Sequence, residues 1–214
     1  MAGAWMAPPE GQSIWSQAVG ERGGENFYES SLYWEAPTDN SRMAWTGSTW
    51  VGQHADNAPG EDKWRGEASF ALKTELAKTD HASAAAQVGA IWRSDPADGC
   101  GEGGIEARAM AGRSFDRDGR TFANAEIAAR AHAGGCASTR IDLSAGFRPD
   151  NDWLAIGQVF SSEPRGGDMA VHAQVSLVRF DRGGRGLQIG LRTRLDGDEP
   201  ETALVIGLWG RGFA

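Results

Sequence analysis

Large opposite charges recur two residues apart along stretches that otherwise alternate in polarity: Arg65 with Glu67, Lys73 with Glu75, Glu106 with Arg108, and Arg140 with Asp142. Glu126 and Arg130 repeat the theme at a spacing of four, and Arg192 and Arg194 lie two apart near the C-terminus. In an extended chain, residues two or four apart share one face. Such ladders can pair across neighbouring strands, or line a water-filled passage and select what moves through it. Catalytic chemistry finds less support. His54, His81, His132 and His172 are the only histidines. A metal or general-base role needs partners that the spacing does not place, so His132 and His172, on polar-flanked strands, read as satisfied inward-facing side chains. No local nucleophile motif of Ser, His, Asn and Asp accompanies them, so no enzyme and no cofactor is expected. The DRDG of Asp116 to Gly119 opens like a calcium loop but lacks the remaining ligands and the closing Glu, and reads as a hairpin turn. GCGEGG has no βαβ context and is not a dinucleotide fingerprint.

The elements that carry these charges are strands. WRGEASFALKTELAK sets Trp64, Gly66, Ala68, Phe70, Leu72, Thr74 and Leu76 on one face and Arg65, Glu67, Lys73 and Glu75 on the other. GIEARAMAGRS, STRIDLSAGFR and GLQIGLRTRLDG repeat the pattern. Cutting the chain at its turn signals predicts about 12 strands, roughly at 12–19, 26–36, 42–54, 63–79, 82–94, 104–114, 121–133, 138–148, 152–162, 168–180, 185–196 and 201–213. PTDNS, KTDHA, FDRDGR, RPDND and RGGR make consistently tight connections. ERGGE, ADNAPGED, SDPADGCGEGG, AGGCAS, SEPRGG and DGDEP alternate with them and are more variable. Short turns alternating with longer loops, with both termini at the short-turn end, are the signature of an even-stranded antiparallel meander.

That meander places the two cysteines. Cys100 precedes one strand and Cys136 follows its hairpin partner, so both fall at the long-loop end, and a Cys100–Cys136 disulfide is expected on the extracellular side of an oxidising compartment. Nothing resembles CxxC, which argues against a thiol redox site or a zinc ribbon.

Alternation by itself does not separate a soluble barrel or sandwich, apolar inside, from a membrane barrel, apolar outside. Three features favour the membrane barrel. The polar faces carry mid-strand charges that a closed lumen would let pair. The apolar faces are thin, rich in Ala, Val, Leu, Ile and Gly, and suit lipid better than an interior about 10 Å across. Aromatics gather at strand ends: Trp15, Trp34, Trp45, Phe115, Phe122, Phe147, Trp153, Phe180, Trp209 and Phe213 toward the short turns, and Phe27, Tyr28, Trp50, Trp64, Trp92 and Phe160 toward the long loops. About 18 residues per strand and connection leave roughly 10 to 13 for each strand, enough for a tilted span.

Composition excludes other classes. Hydrophobic residues are 40% and no apolar run nears the roughly 20 residues of a membrane helix. Nine Trp, 8 Phe and 2 Tyr exceed what a disordered chain carries. Twenty-one basic against 29 acidic residues give a net charge of -8, so no nucleic-acid partner is expected. The opening MAGAWMAPPEGQ has no basic n-region and no apolar h-region. Two readings fit, a cytosolic protein or a start Met before a mature exported sequence, and the barrel pattern favours the second.

On these residues the sequence resembles Gram-negative outer-membrane β-barrels over nearly its whole length. AGAWMAPPEGQSIW, with GAW, then PEG, then the first strand, looks like the mature N-terminus of proteobacterial outer-membrane transport proteins related to the meta-pathway phenol-degradation family. TALVIGLWGRGFA is similar to the C-terminal assembly signal of such barrels, with Ala214 after Phe213. The resemblance implies an all-β, antiparallel up-and-down transmembrane β-barrel in the bacterial outer membrane, with 1–11 a periplasmic segment and 12–214 a single barrel domain.

The leading expectation is a channel for passive passage of small solutes. Twelve strands enclose more room than eight and less than 16. Inward-facing Arg65, Lys73, Arg108, Arg130, Arg140, Arg148, Arg192 and Arg194 face Glu29, Glu35, Glu67, Glu75, Glu106, Glu126 and Asp142, and either draw anions through or close the lumen by pairing. The alternative is a closed structural or interaction barrel. Asp56, Glu61, Asp62, Asp95, Asp98, Glu102, Asp196, Asp198, Glu199 and Glu201 would make its outer loops acidic, fit to bind cations bridging to lipopolysaccharide, or a basic partner protein.

Overall fold

A computed structural model describes residues 3–53, 64–94, 100–162, 170–196 and 200–212. Period-two patterning becomes twelve strands: β1 (Gln12–Arg22), β2 (Glu25–Pro37), β3 (Met43–Gln53), β4 (Trp64–Lys78), β5 (Ala82–Arg93), β6 (Gly103–Ser114), β7 (Thr121–His132), β8 (Ala137–Phe147), β9 (Trp153–Ser162), β10 (Ala170–Phe180), β11 (Gly186–Arg194) and β12 (Glu201–Arg211). Each pairs antiparallel with its chain neighbour, and β1 pairs with β12 from Gln12↔Arg211 to Arg22↔Glu201, closing the barrel. Closure leaves no edge strand with unpaired backbone.

Turn chemistry sets the register. At two short turns an Asp opens the reversal and a left-handed glycine closes it. Asp116 accepts the Arg120 and Thr121 amides (2.7 Å each), with Gly119 at φ 66°. Asp181 accepts the Arg185 amide (2.9 Å), with Gly184 at φ 75°; that amide holds the Asp181 carboxyl below the usual carboxylate range. DRDG is thus a hairpin turn. One connection departs from the expected alternation. ERGGE sits at the long-loop end yet is the tightest reversal, because Gly23 and Gly24 both take positive φ (57° and 87°), so β1 runs on to Arg22.

The β8–β9 ladder extends only from Phe147↔Ala155 to Asp142↔Phe160. Beyond it Ser161 Oγ accepts the Ile141 amide (2.8 Å) and donates to the Ile141 carbonyl (3.2 Å), substituting for a backbone partner.

The barrel is apolar outside. Ile105, Val175, Leu187, Ile189, Leu191 and Leu208 are more than half exposed, while the side chains of Lys73, Glu35 and Glu201 are wholly buried. Outward aromatics stand near both rims: Trp45 stacks on Phe70 (centroids 5.1 Å) and Trp64 meets Tyr28 edge-on (6.2 Å). Six aromatics expected in these girdles face inward instead. Phe122, Phe180 and Trp209 pack with Leu154, Ile156 and Val178 inside the short-turn end, and register places Phe27, Trp50 and Phe160 opposite inward-facing residues. Height along the barrel is legible from distance to a turn, but the face depends on parity within each strand. Phe213 and His54 lie outside the described residues.

Cys100 and Cys136 form a disulfide with Cα atoms 5.6 Å apart, tying the segment before β6 to the β7–β8 connection. It closes a separation of 36 residues. Replacing both cysteines with Ser is expected to lower unfolding free energy by about 3 to 4 kcal/mol, read from the urea midpoint in detergent, and thiol titration of the unreduced native protein should find no free thiol.

Candidate functional site

Twelve inward rows of side chains surround a lumen, and register decides which charges meet there. Glu67 stands opposite Arg93, and Glu106 opposite Arg130. Arg130 spans both carboxylates: its NH groups donate to Glu67 (3.0 Å) and its Nε to Glu106 (2.7 Å). Glu126 and Asp142 are cross-strand partners of like charge, an arrangement that repels by itself. Arg108 answers it, 2.7 Å from Glu126 and 3.8 Å from Asp142, while also donating to Glu106 (3.0 Å). Arg140 completes the chain against Asp142 (3.0 Å) and, at 35% side-chain exposure, is the most open member. From Arg93 to Arg140 this is one continuous network along β4 to β8.

A second cluster lies at the long-loop end of β1, β2, β11 and β12. Glu201, its side chain wholly buried, binds Arg22 (2.7 Å), Arg192 (3.0 Å) and His172 (3.3 Å). Glu29 bridges the same arginines at 3.3 and 2.8 Å. Phe27 lies beneath both guanidinium groups, 4.7 Å from Arg22 and 5.5 Å from Arg192. Arg194 turns to Asp196 (3.1 Å); the Val171 amide, and after it Arg194, hold that exposed carboxyl below its ordinary range. The facing wall is neutral: Gln174 donates to Gln158 (3.0 Å), Gln188 to Ser176 (2.9 Å) and Trp209 Nε1 to Gln188 (2.7 Å), beside Ile14, Ile156 and Val205.

These walls enclose a cavity of about 680 Å³. Of the twelve charges singled out in the sequence, Arg65, Glu67, Arg108, Glu126, Arg130, Arg140, Asp142, Arg192 and Arg194 line it. Lys73, Glu75 and Glu106 do not. Lys73 is buried against Glu35 (3.1 Å), Glu106 lies behind Arg108 and Arg130, and Glu75 is 3.9 Å from Lys78. Arg148 lies at the short-turn end, over Phe180 (5.0 Å). Sequence reasoning missed Arg22 and Arg93, which also line the cavity. Carrying the parity of Ser16, Ala18 and Gly20 two residues further would have found Arg22; parity from Gln87 and Ile91 gives Arg93. Glu201 is a correction in the other direction. It was assigned to an acidic outer loop, but as the first residue of β12 it points inward and is neutralised. Of that acidic set, Asp56, Glu61, Asp62, Asp95, Asp98, Asp198 and Glu199 lie outside the described residues.

No family model and no curated sequence matches the chain. Solved structures do match its fold. The KdgM porin superposes with a TM-score of 0.64 at 8% identity, covering 94% of this chain and 99% of that one. An outer membrane channel from Pseudomonas putida F1 gives 0.60 at 11%, covering 97% of both. The NanC porin gives 0.59 at 14%, covering 91% and 98%. At these identities the likeness is one of fold: a closed twelve-stranded antiparallel barrel similar to outer-membrane porins and channels.

Glu201→Gln removes the one carboxylate that Arg22, Arg192 and His172 share, and is expected to cost about 3 kcal/mol in urea unfolding because it leaves two buried guanidinium groups with Glu29 as their one shared carboxylate. The double variant Glu201→Gln with Arg22→Gln should cost less in total than the two single variants summed, the sign of a coupled cluster.

Proposed function

We propose that this protein is a channel of the bacterial outer membrane that passes small solutes through a charged lumen. The observation that carries the reading is the inverted polarity of the closed barrel, with half-exposed Ile, Leu and Val outside and buried Lys, Arg and Glu within. Water would strip such a surface into aggregates, whereas outer-membrane lipid suits it. The outward Trp and Tyr near the rims support the same placement. The KdgM porin, one of the similar barrels, has been solved in complex with disordered oligogalacturonate, which supports a small solute here. The GAW and PEG of the N-terminus support kinship with transport barrels related to the phenol-degradation family, the segment before Gln12 then entering the lumen from the periplasmic end and 12–214 forming the barrel. Lipopolysaccharide, or a partner protein, would meet the long-loop end.

Selectivity in this reading belongs to Arg140 and Arg194, whose guanidinium groups line the cavity at the edges of their networks. Arg108 and Arg130, inside the network, serve three and two carboxylates and act chiefly as structure. Detergent-refolded protein should show a heat-modifiable band and discrete ohmic steps in a planar bilayer. Under a salt gradient, Arg140→Ser with Arg194→Ser should move the reversal potential toward cation preference. An unchanged potential would remove these two residues from the selectivity role, and a folded protein that never conducts in any form would overturn the channel reading.

A further inference from the structure

The N-terminal segment before β1 does not hang below the barrel. Ala4 is fully buried among Ala85 and Met110, both inward-facing residues of the wall. Three backbone groups of the segment are taken up by wall side chains: Ser83 Oγ donates to the Ala4 carbonyl (2.9 Å), Lys73 Nζ donates to the Trp5 carbonyl (2.6 Å), and the Ala7 amide donates to Glu35 Oε1 (2.8 Å). The Trp5 ring meets Phe122 edge-on (6.2 Å). Its seat on the wall is Gly112, where even a methyl group would stand 2.4 Å from the ring. Gly3, at φ 59°, lies against Asn124 in the same way.

This segment divides the lumen. Gly3 lines the 680 Å³ cavity, while Trp5 lines a second cavity of about 280 Å³ at the short-turn end, beside Phe122, Arg148 and Leu154. Ile156 and Trp209 touch both cavities, so Trp5 stands at the boundary between them. The geometry points to residues 3–7 as a displaceable internal stopper, with Trp5 as the constriction residue that sets conductance and the Lys73–Glu35 pair as its latch. The inference rests on the channel reading.

The chemistry of the latch is what makes the stopper displaceable. A segment built permanently into the wall would be held by apolar packing, whose loss leaves a void. Here small apolar contacts at Ala4 and Trp5 are joined by a polar hold, through one carboxylate, one ammonium and one hydroxyl that lumen water can resolvate when the segment leaves. Glu35 and Lys73 keep each other as partners, and Tyr33 still donates to Glu35 (2.8 Å). Gly112 supplies the complementary feature, a wall position whose missing side chain leaves room for the indole ring beside Asn124.

Three preparations separate the outcomes: the full chain, a chain lacking residues 3–7, and Gly112→Ala, which adds one methyl group at the Trp5 seat. Each is first checked for a heat-modifiable band, then recorded in planar bilayers. The expected result is that truncation and Gly112→Ala both raise single-channel conductance several-fold, and that a synthetic peptide GAWMAPPEG, but not a scrambled one, blocks the truncated barrel from the short-turn side. Equal conductance of all three would overturn the stopper and leave the channel reading intact. Silence of all three folded barrels would overturn the channel reading itself. If truncation prevents folding, Gly112→Ala alone decides: a conductance no higher than that of the full chain rejects the stopper.

Discussion

Closure of β1 on β12 is the constraint from which the remaining structure follows. Once the last ladder forms, every strand has two partners and the sheet has no free edge, so most backbone groups of the described strands are satisfied within the wall. Because side chains alternate along every strand, closure also sorts residues into two populations with nothing between them: one row toward the lumen and one away from it. The chain can therefore be apolar and highly charged within the same strand. Val175 and Leu177 face out from β10 while His172, Gln174 and Ser176 face in.

What the closed wall does with its charges follows from register. Buried ions are costly unless neutralised, and the lumen neutralises most of its own through arginines that each serve more than one carboxylate. Arg108 is the clearest case, since its guanidinium reaches both members of the like-charged pair Glu126 and Asp142, with Arg140 also on Asp142. A lysine, with a single point charge, could not span the three acceptors that Arg108 reaches. The interior is thus a rigid charged lining on β4 to β8 facing a neutral wall of Gln, Ser and aliphatic side chains. Arg140, at the margin of that lining, is its most open member.

The stopper and the networks depend on each other. Lys73 and Glu35 sit on the charge-bearing faces of β4 and β2, yet they are buried beneath residues 4 to 7 rather than bathed in the lumen. The short-turn end is closed by Trp5, Phe122, Phe180 and Trp209, and the long-loop end holds the polar cavity. A lumen apolar at one end and ionic toward the other would present a passing solute with two different environments in succession.

Strand number, order and boundaries were legible in the chain because each rests on local chemistry. Asp and Gly at turns stop a strand, and two-residue periodicity shows where it runs; only β1, carried past its expected end by Gly23 and Gly24, was notably longer than read. The Cys100–Cys136 link was legible too, since an up-and-down order alone places both at one end. The inner or outer direction of Phe122, Phe180, Trp209, Phe27, Trp50 and Phe160 was not, and neither was the burial of Glu201. Those depend on parity counted from strand ends that local signals leave uncertain by a residue, and one residue reverses the face. Which cation meets which anion, and the seating of Trp5 on Gly112, belong to tertiary structure alone. Apart from same-strand pairs such as Arg108–Glu106 and Arg140–Asp142, they join residues far apart in the chain, whose approach is set by the stagger of a closed ladder and not by any pattern within a single strand.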